Sequence, residues 1–369
     1  MDTYPPIHLL TYSPTHLLTY SFTHETPMNT LRIAIITCFL LCFTGCDTTS
    51  SIPQPTHPKP EGMTDATNAA TVYDQAAKTF VKKIPRGQRD EVDVLILGGG
   101  WRDLEEVVSR DVFQPSLDDV RKATAYPYCH WDIDYRKGFL PSSQLPMRFH
   151  NVARILQRIL ESETQKEWNR GNTDAALAYW KDGMILARRA SRYAGFIIVN
   201  PGLEYRLGHE KWWLDFIRSH AASLDARQKE EIRGALLGLE PLPTLTQSAA
   251  FKKDMAIYMT KIDSATMWWI AKVTLKTEDS PIGITRKWFG REEREAEIPE
   301  LEKWFDAWIP YTELPAEEYR EKMKDFLPRG KNDYAREVFL FCVHDQDELI
   351  NAYAENETLM EETLKILEK

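Results

Sequence analysis

The sequence predicts an all-α protein of antiparallel helical hairpins, and three observations carry that expectation. Apolar residues recur in steps of three and four through most of the chain beyond residue 65. Glycine, asparagine and proline interrupt these stretches where helices must turn. With 43% hydrophobic residues, the chain also has enough apolar mass to bury a sizeable core between such helices.

In 65–83, Ala69, Tyr73, Ala76 and Phe80 step by four, three and four and so share one helix face. Leu145, Phe149, Val152, Leu156 and Ile159 repeat that rhythm over a longer helix, which Gly171-Asn172 breaks; Asn172 or Thr173 then suits the cap of the next. That helix carries Ala176, Tyr179, Gly183, Leu186 and Ala190 on its inner side. Its small residues Ala176, Gly183 and Ala187 invite close approach by a neighbour. A further helix starts at Asn200-Pro201 and runs through Ile217, and another spans 225–238 until Pro241 and Pro243 stop it. Helical rhythm continues over 246–273 through Met255, Met259, Ile262 and Trp269, and over 335–367 through Phe339, Val343, Ile350, Tyr353 and Leu364. Between these lie GREEREAEIPELEK at 290–303 and AEEYREKMKD at 316–325, mixed-charge runs of the kind found on solvated helix faces.

The N-terminal region has a different character. HLLTYSPT at 8–15 is followed by HLLTYSFT at 16–23, too few units to build a repeat fold. A tandem duplication in the coding DNA, with translation starting at Met28, explains it, so 1–27 is read as a mis-called start. From Met28, Arg32 supplies a positive region, and Ile33 to Phe43 form an apolar stretch too short to span a bilayer but suited to a secretory signal. The ending Phe43-Thr44-Gly45-Cys46 resembles the lipobox of bacterial lipoproteins, although Phe43 stands where a small aliphatic residue is usual. The resemblance implies a signal peptide over 28–45, cleavage before Cys46 and thioether lipidation of Cys46. An ordinary signal peptide with an incidental cysteine is the alternative. Residues 46–62, with prolines at 53, 55, 58 and 60, read as an extended tether reaching up to roughly 50 Å from a membrane surface. The body then divides into a helical-hairpin core over 63–276 and a charge-rich C-terminal helical region over 277–369.

Asn68-Ala69-Ala70-x-x-Tyr73-x-x-Ala76, Cys129-His130-Trp131 and the Gly171-Asn172 to Ala176 turn-and-helix together resemble a group of uncharacterised bacterial envelope proteins, over roughly residues 66 to 260. The last element is also similar to the start of a tetratricopeptide-type hairpin. No full repeat of that type recurs, so the resemblance implies TPR-like packing, or an irregular α-solenoid or bundle, and carries no activity with it.

Other signals bear on chemistry. Acidic residues outnumber basic ones 55 to 46, a net charge of −9, which does not provide the basic footprint of a nucleic-acid binder. VDVLILGGG at 92–100 resembles the opening of a dinucleotide-binding fold. The sixth position from Gly98 is Asp103 rather than glycine, however, and no βαβ continuation follows. His209-Glu210-Lys211-Trp212-Trp213 opens like a zinc-binding HExxH, but Trp213 stands where the second ligand belongs. Cys129, His130, Asp132 and Asp134, framed by Tyr128, Trp131 and Tyr135, form the densest polar cluster. Paired carboxylates there suit glycoside hydrolysis, and a thiol with an imidazole suits metal binding or nucleophilic attack; the alternative is a structural turn. Cys129 and Cys342, the cysteines left after the signal and the anchor, either pair in an oxidising compartment or remain two buried thiols.

Eleven tryptophans are many for 369 residues, and Trp212-Trp213, Trp268-Trp269, Trp304 and Trp308 stand out. Most belong in a core, and an exposed subset would mark a surface that binds a partner or stacks on the sugars of a wall polymer. The functional expectation is a lipid-anchored cell-envelope protein facing the periplasm or exterior. It binds a protein or cell-wall polymer through a helical surface, without catalytic, cofactor or metal residues and without nucleic acid. The alternative is an envelope hydrolase centred on 129–134.

Overall fold

The computed structural model describes residues 61–84, 110–131, 139–194, 203–262, 294–326, 334–343 and 346–369. Among the described residues the fold is all-α, with eleven α-helices and no strand. They are α1 (Ala70–Lys83), α2 (Arg110–Thr124), α3 (Phe139–Asn169), α4 (Thr173–Ala194), α5 (Leu203–His220), α6 (Ala226–Leu237), α7 (Leu245–Ile262), α8 (Ile298–Trp308), α9 (Ala316–Phe326), α10 (Tyr334–Val343) and α11 (Gln346–Leu367). The signal segment, Cys46, the 92–100 stretch with Asp103, Asp132, Asp134, Trp268-Trp269 and the division at 276/277 lie outside the described residues.

The first helix starts later than its apolar spacing suggests. Residues Asp65–Thr67 form a single 3₁₀ turn, and α1 begins only at Ala70. Asn68 causes the delay, because its Oδ1 accepts from the Ala70 N–H at 3.1 Å and so caps the helix from outside. Beyond that point the expected face is the buried one: Ala69, Tyr73, Ala76 and Phe80 are each at most 1% exposed. They pack with Phe113, Leu117 and Val120 of α2.

The long hairpin of α3 and α4 is the backbone of the fold. Gly171 makes its turn at φ +79°, a conformation L side chains adopt rarely. Asn172 donates its backbone N–H to the Glu167 carbonyl at 2.9 Å and its side-chain amide to Glu167 Oε2 at 2.7 Å. Its own carbonyl accepts the first helical bond of α4, from Ala176 at 3.0 Å. Next, α5 lies against α4 so closely that a Cβ on Gly183 would stand 2.1 Å from Cζ2 of Trp213. Three hydrogen bonds tie this contact. The Trp180 indole donates to the Trp213 carbonyl at 2.9 Å, the Trp213 indole to Gln157 Oε1 at 2.8 Å, and Gln157 Nε2 to the Gly183 carbonyl at 3.0 Å. Buried indole N–H groups are thus all satisfied across three helices at this point.

α11 packs along α5 and touches α6 and α9. At the centre of that contact Glu210, fully buried, accepts through Oε2 from Arg188 of α4 at 2.9 Å and from Asn356 Nδ2 of α11 at 3.1 Å. The neighbouring Arg189 is equally enclosed. It donates to Tyr73 Oη at 3.2 Å, to the Ala123 carbonyl at 2.8 Å, to the Tyr126 carbonyl and to Glu240 Oε1 at 3.3 Å. Ala123 sits in the last turn of α2, so the guanidinium satisfies carbonyls that the helix leaves open.

A second cluster of helices, α7, α8 and α10, uses charges at helix ends. Lys252, fully buried, donates to the Cys342 carbonyl in the last turn of α10 at 3.3 Å and to Gln346 Oε1 at 3.0 Å. Arg294 donates to the Thr260 carbonyl near the end of α7 at 3.3 Å, and Glu297 accepts from the Ala335 N–H at the start of α10 at 2.7 Å. Cations meet C-termini and an anion meets an N-terminus, as the helix dipole favours. The charged run at 290–303 is therefore not wholly solvated: Arg294 is 6% exposed. Phe305, Trp308 and Phe339 pack edge-to-face inside this cluster.

Candidate functional site

Each residue singled out from the sequence has a definite environment where it is described. Cys129 and Cys342 are both buried, and no disulfide joins them. Burial pushes the Cys342 thiol up to about 12, with the Lys252 ammonium opposing in part. Around Cys129 the chain is held from α1's entry. Asn68 Nδ2 donates to the His130 carbonyl at 2.8 Å, Asn68 Oδ1 accepts from the His130 N–H at 2.8 Å, and the Ala69 N–H donates to the Tyr128 carbonyl at 2.7 Å. Cys129 and Trp131 flank this clamp, buried. The Asn68 and Cys129-His130-Trp131 motifs, far apart in sequence, are thus two halves of one contact.

The His209-Glu210 pair points inward. His209 Nδ1 lies 3.1 Å from Glu161 Oε1 of α3, Glu210 holds Arg188 and Asn356, and Trp213 is in the core. Among the described residues no group of three or more His, Cys, Asp or Glu side chains converges as a metal shell. Among them, too, no helix is long and apolar enough to cross a membrane.

The outer face of α5 is different. Positions four residues, and so about 6 Å, apart along this helix place Gly208, Trp212, Phe216 and His220 in one row and Lys211, Asp215 and Ser219 in a second. With Gln165 of α3 they line an open groove of about 410 Å³. The aromatic row is continuous: Trp212 stacks on Phe216 at 5.5 Å and 18°, and Phe216 meets His220 at 4.4 Å. Trp168 of α3 closes it from the side, packing edge-on to Phe216 at 5.5 Å and to His220 at 4.4 Å. Phe216 is buried beneath, whereas Trp168, Trp212 and His220 are partly exposed. The His220 Nδ1–H donates to the Phe216 carbonyl at 2.7 Å, which fixes the ring and leaves Nε2 as an acceptor in the neutral imidazole.

The polar row is anchored as well. Lys211 pairs with Glu355 of α11, and Asp215 accepts from Arg218 at 3.1 Å, which in turn reaches Glu362 at 2.8 Å. The lining itself therefore holds one lysine and one aspartate, each paired with a neighbouring side chain. Gly208 adds an opening, since a Cβ built there meets nothing within 4 Å among the described residues.

Adjacent tryptophans on a helix face about 100° apart, so Trp212-Trp213 had to divide between surface and core. Trp213 went to Gly183, and Trp212 to the groove. The i, i+4, i+8 series Trp212, Phe216, His220 was the signal that could have located this face in the sequence. No protein-family model, curated protein or solved structure matches the chain.

Proposed function

We propose that this is a lipid-anchored binding module of the bacterial cell envelope, acting without catalysis. A thioether-linked lipid on Cys46 holds it to the membrane and the proline-rich tether of 46–62 spaces the body from it, so the protein faces the periplasm or exterior. Recognition falls to the helical surface of α5. The observation that carries this reading is the groove: two side-chain rows in register, braced from α3 and α11, on the outside of a helix whose inside is packed. Rigid aromatic side chains on a braced scaffold suit binding, because little conformational freedom is lost when a ligand arrives.

The test is direct. Cells grown with labelled palmitate are fractionated, and the N-terminal peptide of the mature protein is identified by mass spectrometry. The expected result is label in the membrane fraction and a mature chain beginning with diacylglyceryl-modified Cys46, both lost in Cys46→Ser. An unlabelled, soluble mature chain would overturn the anchored reading.

A further inference from the structure

We infer that the α5 groove binds a neutral, β-linked oligosaccharide chain, one pyranose unit per turn of the helix. This deepens the binding-module reading and rests on it for biological setting, though not for chemistry.

Three features of the groove converge. First, its lining repeats. Each turn supplies one element of the row Gly208, Trp212, Phe216, His220 and one of the row Lys211, Asp215, Ser219. A ligand that matches must repeat on the same scale, about 6 Å, with an apolar face and a polar edge in every unit. An equatorially substituted pyranose has that form, with axial C–H groups on its faces and hydroxyls around its rim. Trp212 and the partly exposed His220 offer rings to the faces, and Lys211, Asp215 and Ser219 offer donors and acceptors to the hydroxyls.

Second, the floor admits flat ligands and excludes caged ones. Trp168, Phe216 and His220 pack on one another at 4.4 to 5.5 Å. An aromatic cage for a quaternary ammonium needs rings around an empty centre, each within about 6 Å of the cation, and rings packed on one another at these distances do not form one. Other flat ligands fail on charge or on backbone. Nucleic acid would meet a chain of net charge −9. A peptide that binds as an added strand relies on main-chain hydrogen bonds from a sheet edge, which a helix surface does not provide. Lys211 and Asp215 are opposite in sign and each is paired with a neighbouring side chain, so the lining has no excess charge that calls for a charged ligand.

Third, Gly208 is unexplained by packing. A glycine within a helix is less favourable than alanine, because it gives up more backbone freedom. At Gly183 the Trp213 ring makes the glycine necessary, but at Gly208 no atom of the described residues occupies the space where a Cβ would stand. A ligand that lies against the helix backbone there gives the missing side chain a use.

The experiment titrates the intact full-length protein, held in a detergent without a sugar headgroup, with cellotetraose and with chitotetraose. Tryptophan fluorescence and calorimetry follow binding. Expected is saturable binding of at least one of the two, weakened tenfold or more by Trp212→Ala and by Gly208→Leu. Gly208→Ala is the sharper variant: it should melt at the same or a higher temperature than the parent and still bind at least threefold more weakly. Absence of saturable binding by both oligosaccharides would overturn the inference. So would binding that is unchanged in folded Trp212→Ala and Gly208→Ala proteins, or tighter binding of tetramethylammonium than of either sugar. The two readings fail separately. A membrane-labelled protein that ignores both sugars keeps its anchor and loses the glycan, whereas sugar binding by an unlabelled soluble chain does the reverse.

Discussion

The side-chain amide of Asn68 pairs with both backbone groups of His130, donating to its carbonyl and accepting from its N–H, each at 2.8 Å. An amide in this position imitates a neighbouring strand, and it joins the entry of α1 to the segment that follows α2. Only a side chain with one donor and one acceptor side by side can do this. Asn68→Asp keeps the acceptor and loses the donor. It should lower stability by about 1–3 kcal/mol, read as a lower urea midpoint at unchanged slope, and Asn68→Ala should cost at least as much. A wild-type midpoint in both variants would show that the clamp contributes nothing.

Gly183 and Trp213 make a reversible prediction. Gly183→Ala places a methyl group inside the indole, so α4 and α5 must separate, at a cost of about 1–3 kcal/mol. In a Trp213→Phe background the contacting atoms are gone, and alanine's better helix propensity, about 1 kcal/mol, should make the same substitution neutral or stabilising. A double-mutant cycle on melting temperature checks the change of sign.

Glu210 is fully buried and compensates the Arg188 guanidinium. Glu210→Ala strands that charge, and about 3–5 kcal/mol should be lost. Replacing both partners, Arg188→Met with Glu210→Leu, should cost much less, since burying an ion pair is itself expensive. Denaturant unfolding of the three variants tests the ordering, and equal losses in single and double variants would contradict it.

Cys342 predicts a dependence on pH. Its thiol is raised from 9.0 to about 12 by burial. The folded state therefore keeps the proton while the unfolded chain releases it, so the unfolded state binds fewer protons in this range and stability falls as pH rises from 9 toward 12. At pH 8 the Cys342 peptide should resist alkylation in native protein and react fully in urea, as peptide mapping would show. Cys342→Ala should flatten the alkaline loss, and an unchanged slope would assign that loss to other groups.

What the sequence made legible follows the reach of its signals. The buried row Ala69, Tyr73, Ala76, Phe80 was readable because helix faces recur every three or four residues. Gly171 and Asn172 were readable because turn chemistry is local. Gly183 could be recognised as a place of close approach, but its partner Trp213, on the next helix, could not. Residue type misleads most where charges are buried. Lys252, Glu210, Arg189 and Arg294 look like surface residues by composition, and they sit inside because carbonyls or opposite charges from distant helices receive them. The groove stayed hidden for a related reason. Its rows are periodic in α5, but only the packing of Trp213 into α4 shows which side of that helix is left facing out.

The pairing of α5 with α11 also dictates when the molecule can be finished. Glu210 and Asn356 are 146 positions apart, and α11 leaves the ribosome after every other described helix. Until then one side of α5 has no neighbour, and Leu359 and Leu367 are missing from the core around Trp213 and Leu214. Assembly of this core consequently closes a long loop and is slow by the usual dependence on sequence separation. A chain cut short before Gln346 would leave the Arg188–Glu210 pair open on the side that Asn356 covers.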